Sequence, residues 1–490
     1  MKGLTSWQFT PYIRPTETEK ENLPYISRII PYEKGFSVDW FDQGGKGLEH
    51  ILCYRPAGTA MTYTQMPLAA PTQSVSGLED NTDYECYIRR SDGKESMQRY
   101  VRTGKNYPGA AVVNYLHPKD DIYDYSGHAI CAPSIVRMPS GKLLALHDVP
   151  CDRSTIPACP CLAVLLQSED EGETWQYVCD IRPAFNPMLF LHQGALYILA
   201  LNTDYTDLII GKSTDEGKTW TSPVTLLRGE NINRYGWHRG AMPFLENDGI
   251  LYTSVEYGFV NAYQHPTEEQ KKDAYEIDED PKNRPDPAAW RCGDQVIRLS
   301  HYAAVLSVSA DADLLNPENW RVTPLYFPAE DDPRQCIEGN ILKLPDGRLY
   351  NFLRTIRAGK SLLLKLDEND PREGKLSRVR LDESFPFSSQ SKFDIKLDEK
   401  SGYYIAFGSL YPYGRNVLAM AVSKDFNSWE VSYTVADGRE HHNGFSYPSW
   451  IFDRDDILLV SRTAYNGATD NHDTNMITFH KIKNFRQFLK

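Results

Sequence analysis

Six polar residues in this 490-residue chain each stand just before an apolar, strand-like run: His128, Asn186, His238, Glu338, Lys392 and Tyr447. Their types cover general acid–base and nucleophilic chemistry. An imidazole titrates near neutral pH and can take or give a proton. A phenol, with a pKa of about 10, becomes a nucleophile only when a base stands beside it. His147-Asp148 closes the first run and adds a second imidazole and a carboxyl group that could act as general acid. A histidine–tyrosine pair is also what β-elimination of a uronate needs, so His128 or His238 with Tyr447 forms an alternative constellation. Arg354 and Arg462 can grip a carboxylate with a planar fork, and Lys392, His147 and Asn186 are further candidate substrate contacts.

One recurring unit must position these groups: an apolar strand, a tight turn, and a second apolar strand. It occurs six times, at 132–146, 188–201, 241–255, 341–353, 393–407 and 450–460. The single long step between copies falls at the charged, Pro-rich stretch 264–294, expected as a loop or short helix inserted beside the ring. Between these units lie two copies of one phrase, Ser168-Glu169-Asp170-Glu171-Gly172-Glu173-Thr174-Trp175 and Ser213-Thr214-Asp215-Glu216-Gly217-Lys218-Thr219-Trp220. Ser and Asp can bond the turn's backbone, Gly supplies positive φ, and Trp packs on the sheet. A strand-rich unit at such a period is the signature of propeller blades.

The phrase S-x-D-x-G-x-T-W resembles the Asp-box of the sialidase-like, or BNR, propellers. The segment from Glu338-Gly339-Asn340 through Leu344-Pro345-Asp346-Gly347-Arg348-Leu349 to Arg354 resembles the sialidase pattern E-x-x-x-x-x-L-x-D-G-x-L-x-x-x-x-R. Gly444-Phe445-Ser446-Tyr447 loosely resembles the segment that carries the sialidase nucleophile, with the tyrosine two residues late. The resemblance implies a six-bladed β-propeller in which Glu338 polarises Tyr447, Arg354 holds a substrate carboxylate, and Asp148 is the acid. It also implies departures. Where the family has Arg-Ile-Pro on the first blade this chain has Cys131-Ala132-Pro133, and no third arginine of a carboxylate-binding triad is evident.

Composition limits the alternatives. A net charge of −13 argues against nucleic acid or an anionic membrane as main partner. No run of apolar residues is long enough for a membrane helix. Nine cysteines without a regular framework fit free thiols, and with no apolar leader at the start the expectation is a cytoplasmic protein, or a secreted one had a leader been trimmed. Neither Cys159-Pro160-Cys161 nor His441-His442 with His472-Asp473 has metal-site spacing, so no metal and no cofactor is expected. Residues 1–22 read as a lead-in. Residues 23–104 read as a β-sandwich resembling a fibronectin type III domain, with a tyrosine corner at Tyr84 and Trp40 in its core.

The reading is therefore an all-β chain, a small β-sandwich followed by a sialidase-like six-bladed β-propeller over 110–490. It would act as an exo-acting glycoside hydrolase on a sialic or uronic acid-containing glycan. A propeller lyase and a non-catalytic glycan-binding propeller are the alternatives.

Overall fold

The computed structural model describes residues 23–120, 129–150, 161–229, 236–263, 267, 275–276, 289–292, 295–328, 336–355, 359–387, 391–441 and 443–489. Strands dominate it, and they form six blades plus an N-terminal module. In blade 1 the strands Ser134–Arg137, Leu143–Val149, Leu162–Ser168 and Gln176–Ile181 pair in sequence order. Blade 2 (from Phe185–His192 to Val224–Leu227), blade 4 (from Cys336–Lys343 to Ser377–Asp382) and blade 5 (from Asp394–Asp398 to Glu430–Asp437) repeat that plan. Each expected strand–turn–strand unit is the antiparallel inner pair of one blade.

Apolar alternation explains how the blades pack. Separate buried clusters fill the interfaces between neighbouring sheets, one for each of the six junctions around the ring. The two S-x-D-x-G-x-T-W phrases lie on outer hairpins and fasten these junctions. In the first, the Gly172 amide and the Ser168 hydroxyl form a 2.9 Å bond, and Asp170 accepts from the Thr174 amide at 2.9 Å and from its hydroxyl at 2.5 Å. The second box repeats this with Ser213, Asp215, Gly217 and Thr219. Glycine is required on two grounds. Gly172 has φ +90°, and a Cβ there would collide with the Phe479 ring of blade 6, the sheet built from Gly444–Asp453, Asp456–Ala464, Met476–Ile482 and the early strand Ala111–Tyr115.

Blade 3 departs from the plan. Its inner strand is split into Gly236–His238 and Leu245–Asn247, both paired with Ile250–Tyr263. That strand and Gln295–Ser309 stay paired from Ile250 to Tyr263, seven residues past Glu256, which pairs with His238 at the ring. The hairpin thus stands about 20 Å beyond the ring. Within the insertion, the described parts are not the expected loop or helix. Tyr275–Glu276 and Ala289–Cys292 are strands added to the edge of this hairpin, because the two long strands offer an open ladder there. The blade count is unaffected.

The N-terminal module has sheets of three and four strands, Tyr25–Tyr32, Gly35–Phe41 and Thr72–Ser76 facing Thr64–Pro67, His50–Pro56, Asp83–Arg90 and Arg99–Arg102. Phe36, Val38, Leu52, Ile88 and Val101 fill the space between them. The Glu79 amide donates to the Tyr84 hydroxyl at 3.1 Å, forming the corner. Trp40 packs against the edge of this core and not in its centre. It lies half-buried at its strand's end, where its indole N–H donates to the Ala70 carbonyl at 2.7 Å and its ring meets His50. Six described cysteines, Cys53, Cys86, Cys131, Cys161, Cys179 and Cys336, are buried.

If the Asp-box is a structural staple, Asp170→Ala removes the acceptor for Thr174 and costs roughly 1–3 kcal/mol of stability. Thermal melting should shift down while kcat and KM, measured well below the melting range, stay unchanged. Altered kinetics in the folded variant would contradict that assignment.

Candidate active site

The start of each inner strand and the end of each second strand open on one face of the ring. At three of these places the inner strand carries the same device. The pairing register slips between Phe185 and Met188, Ile337 and Asn340, and Ser446 and Ser449, and within each slip one non-glycine residue has positive φ: Asn186 (48°), Glu338 (54°) and Tyr447 (51°). A bulge of this kind turns a side chain that would lie along the sheet toward the axis.

Glu338, Arg354 and Tyr447 meet there. Arg354 Nη1 donates to the Glu338 carboxylate and, at 3.2 Å, to the Tyr447 oxygen. Glu338 is 1 % exposed, while Tyr447 is half-buried and so reaches the mouth. Two further guanidinium groups flank the phenol ring, Arg415 at 5.4 Å and Arg462 at 5.1 Å from its centroid. Arg415 also donates to Ser446 Oγ at 3.2 Å, and Arg462 donates to the His472 carbonyl. The sequence-based expectation of a missing third arginine is thus corrected. Arg415 was overlooked because it sits in the turn before the third strand of blade 5, not ahead of an inner strand. Arg462, from blade 6, lies close to Cys131, the residue standing in the first-blade arginine position.

Electrostatics sort the groups. Burial pushes the Glu338 carboxyl upward, but Arg354, His238 and the hydrogen bonds from Arg354 and Tyr447 outweigh it and hold it below the usual range. Burial and the adjacent Glu338 push the Tyr447 phenol up, against the pull of three arginines. Tyr447 is therefore protonated at neutral pH and must lose its proton to act. Arg415 is drawn down to about 10 by burial and by its neighbour Arg462.

Asp148 is fully buried at the end of the second strand of blade 1. Its Oδ2 accepts from the Asn186 amide at 2.9 Å, and Oδ1 has no hydrogen-bond partner among the described residues. Burial raises its pKa to about 7, against the pull of Asn186 and Arg462. His238 Nδ1 donates to the Glu256 carboxylate at 3.2 Å, and its ring lies 4.0 Å from Asp204 and stacks on Tyr205. Burial alone would lower its pKa, but Glu256, Asp204 and Glu338 carry it above the ordinary value.

Two candidates do not face the mouth. His147 is buried between blades 1 and 6, bonded to the Asn114 amide at 2.9 Å, and burial lowers its pKa to about 4. Its strand neighbour Asp148 takes the opposite face, as alternation demands. Lys392 is fully buried and donates to the Pro448 carbonyl at 2.5 Å, behind Tyr447, so it holds the bulge rather than a ligand. His128 lies outside the described residues. Glu256, paired with His238, was missed by the sequence reading. Its signal is a charged residue seven positions past the hairpin turn at Gly249, the place that Asp148, Arg354 and Arg462 hold after Gly141, Gly347 and Asp455. A larger cleft of about 560 Å³ opens at the far end of the ring, but Arg137, Glu171 and Asp453 fill it with ion pairs.

The Asp148 shift has a stability consequence. A carboxyl whose pKa is raised on folding adds stability that is complete below its unfolded value, near 4, and lost as pH rises through about 7. Asp148→Asn should therefore raise the melting temperature more at about pH 8 than at about pH 4.5, while removing any general-acid function. An equal shift at both pH values would show that Asp148 ionises normally in the folded protein.

No protein-family model matches the chain, and no curated protein does. Among solved structures it is similar to the Hadza microbial sialidase Hz136, at 13 % identity over 98 % of this chain and 92 % of that one, with a TM-score of 0.48. It is also similar to the intramolecular trans-sialidase from Ruminococcus gnavus, at 12 % identity over 79 % and 100 % of the two chains, TM-score 0.47. A third is the α-L-arabinofuranosidase arb93a from Fusarium graminearum, at 12 % identity over 76 % and 97 %, TM-score 0.44.

Proposed function

We propose that this chain is an exo-acting glycoside hydrolase that removes a terminal sugar bearing a carboxylate, of the sialic or uronic acid type. The observation that carries this reading is the meeting of one phenol, one buried carboxylate and three guanidinium groups at a single point. Three cations exceed what Glu338 needs as partner, and the surplus suits an anionic substrate. Arg354 is committed to Glu338 and Tyr447, which leaves Arg415 and Arg462 as the principal carboxylate grips.

Tyr447 Oη attacks the anomeric carbon as its proton passes to Glu338, and the bond to the leaving oxygen breaks as Asp148 gives that oxygen its proton. Water then attacks the tyrosyl–sugar bond, losing a proton to the Asp148 carboxylate, and Tyr447 recovers its proton from Glu338. An acid with a pKa of about 7 is matched to both of its turns. His238 fits the alternative lyase chemistry less well, because Glu256 and Asp204 favour its charged form and an eliminating base must be neutral. A position on the cytoplasmic side or outside the cell is compatible with this chemistry.

A panel of acidic and neutral oligosaccharides, followed by reducing ends and by absorbance near 235 nm, separates the readings (an unsaturated uronate absorbs at roughly that wavelength). Reducing ends without absorbance are expected. Tyr447→Phe and Glu338→Gln should each lower turnover at least about a hundredfold, with the double variant little worse than either. Arg415→Lys should mainly raise KM for an acidic substrate, since a point charge cannot replace the fork. Near-normal turnover in Tyr447→Phe would rule the mechanism out.

A further inference from the structure

On the hydrolase reading the mouth takes one terminal acidic sugar, and the rest of a glycan must lie beyond it. A groove on the same face of the ring runs along the seam between the N-terminal module and blade 6. It has two contiguous parts, about 370 and 260 Å³, which share His441, Asn443, Tyr465 and Asn466. Thr469, Asp470 and Asn471 line one part, and Asp80, Asn81 and Lys105 of the module line the other.

Three observations bear on its use. First, it borders the mouth. Asn443 accepts from the Asn416 side chain, next to Arg415, at 2.7 Å, and Asn471, which packs against Gly444, precedes His472, whose carbonyl holds Arg462. Second, hydrogen bonds tie the two sides of the seam together. The Asn466 amide donates to the carbonyls of Arg102 and Thr103 at 3.2 and 3.3 Å, and the Tyr107 hydroxyl accepts from the Asp437 amide at 2.9 Å. Third, its chemistry contrasts with the mouth. Side-chain amides, a hydroxyl and a half-buried tyrosine line it, and its few charges, Asp80, Asp470 and Lys105, nearly cancel. Among the described residues, the side chains of Asn443, Asn471 and Thr469 and the Tyr465 hydroxyl have no hydrogen-bond partner.

We propose that this seam groove is a binding subsite for the neutral hexose units that follow the acidic sugar, with the N-terminal module supplying one wall. Amide groups and an aromatic ring pair with sugar hydroxyls and with the apolar face of a pyranose, and they ask for no charge. The module is then part of the substrate site and not merely a spacer. The role of the groove in turnover rests on the hydrolase reading; its affinity for neutral sugar does not.

The test uses the full chain and lactose as probe, read by saturation-transfer-difference NMR. Thr469→Trp fills the groove from an exposed position and should abolish lactose saturation, as should Asn443→Ala with Asn471→Ala, while Arg354→Lys leaves it intact. In kinetics, Thr469→Trp should lower kcat/KM for 3′-sialyllactose by about tenfold and leave the 4-methylumbelliferyl glycoside of the same acid within about twofold. No lactose signal at millimolar concentration, or a signal that survives both groove variants, overturns the proposal. Lactose binding lost in the groove variants, with no acidic glycoside cleaved, would uphold the subsite and refute only the hydrolase reading.

Discussion

Everything at the mouth depends on closing the ring, and one backbone ladder closes it. The outer strand of blade 6 is not the end of the chain but Ala111–Tyr115, paired antiparallel with Met476–Ile482 from Met476↔Tyr115 to Phe479↔Ala111. Arg462, Tyr447, Asp148 and Cys131 face one another only because this pairing brings blade 6 against blade 1. The N-terminal module grips the closing strand. Arg28 donates to the carbonyls of Val112 and Val113 at 2.9 Å each, and Val112, Tyr115 and Met476 join the module's own core. Module and propeller are therefore one packed body at this seam, and a seam held so tightly can also carry a groove of fixed shape.

A closed ring supplies geometry; the bulges and the buried charges supply reactivity. Holding Asn186, Glu338 and Tyr447 at positive φ costs about 1–3 kcal/mol each, which the surrounding ladders must offset. The Glu338 carboxylate, buried alone, would neutralise itself by taking up a proton. Arg354 prevents that, and so keeps a base beside a phenol that is otherwise too weak an acid. Asp148 shows the opposite case: with no full ion pair, burial wins and it keeps its proton to near neutrality. Two carboxyl groups of the ring are thereby given opposite pKa shifts by their partners alone.

The blade plan was legible because packing between sheets imposes period-two alternation and the Asp-box imposes fixed residue types. The meeting of Glu338, Arg354, Tyr447 and Arg462 was legible because the start of an inner strand and the end of its partner open on the same face of a propeller. Arg415 was not, since a turn residue carries no such periodic mark. His147 misled for a related reason: adjacent to Asp148 in sequence, it points to the other side of its strand, where Asn114 satisfies it. Lys392 had the right position but the wrong direction, a matter of side-chain packing against Pro448 that no pattern reveals. The strands of the insertion in blade 3 depend on two long partners that pair only once the blade is built.

The central claim is that Tyr447 forms a bond to the substrate. A terminal acidic sugar fluorinated beside its anomeric carbon and carrying a good leaving group slows breakdown of such a bond more than its formation, so the adduct accumulates. Intact-mass measurement followed by peptide mapping should find one sugar per chain, on the peptide containing Tyr447, and none on Tyr447→Phe. Release of the leaving group with no adduct, or an adduct on another residue, would contradict the account.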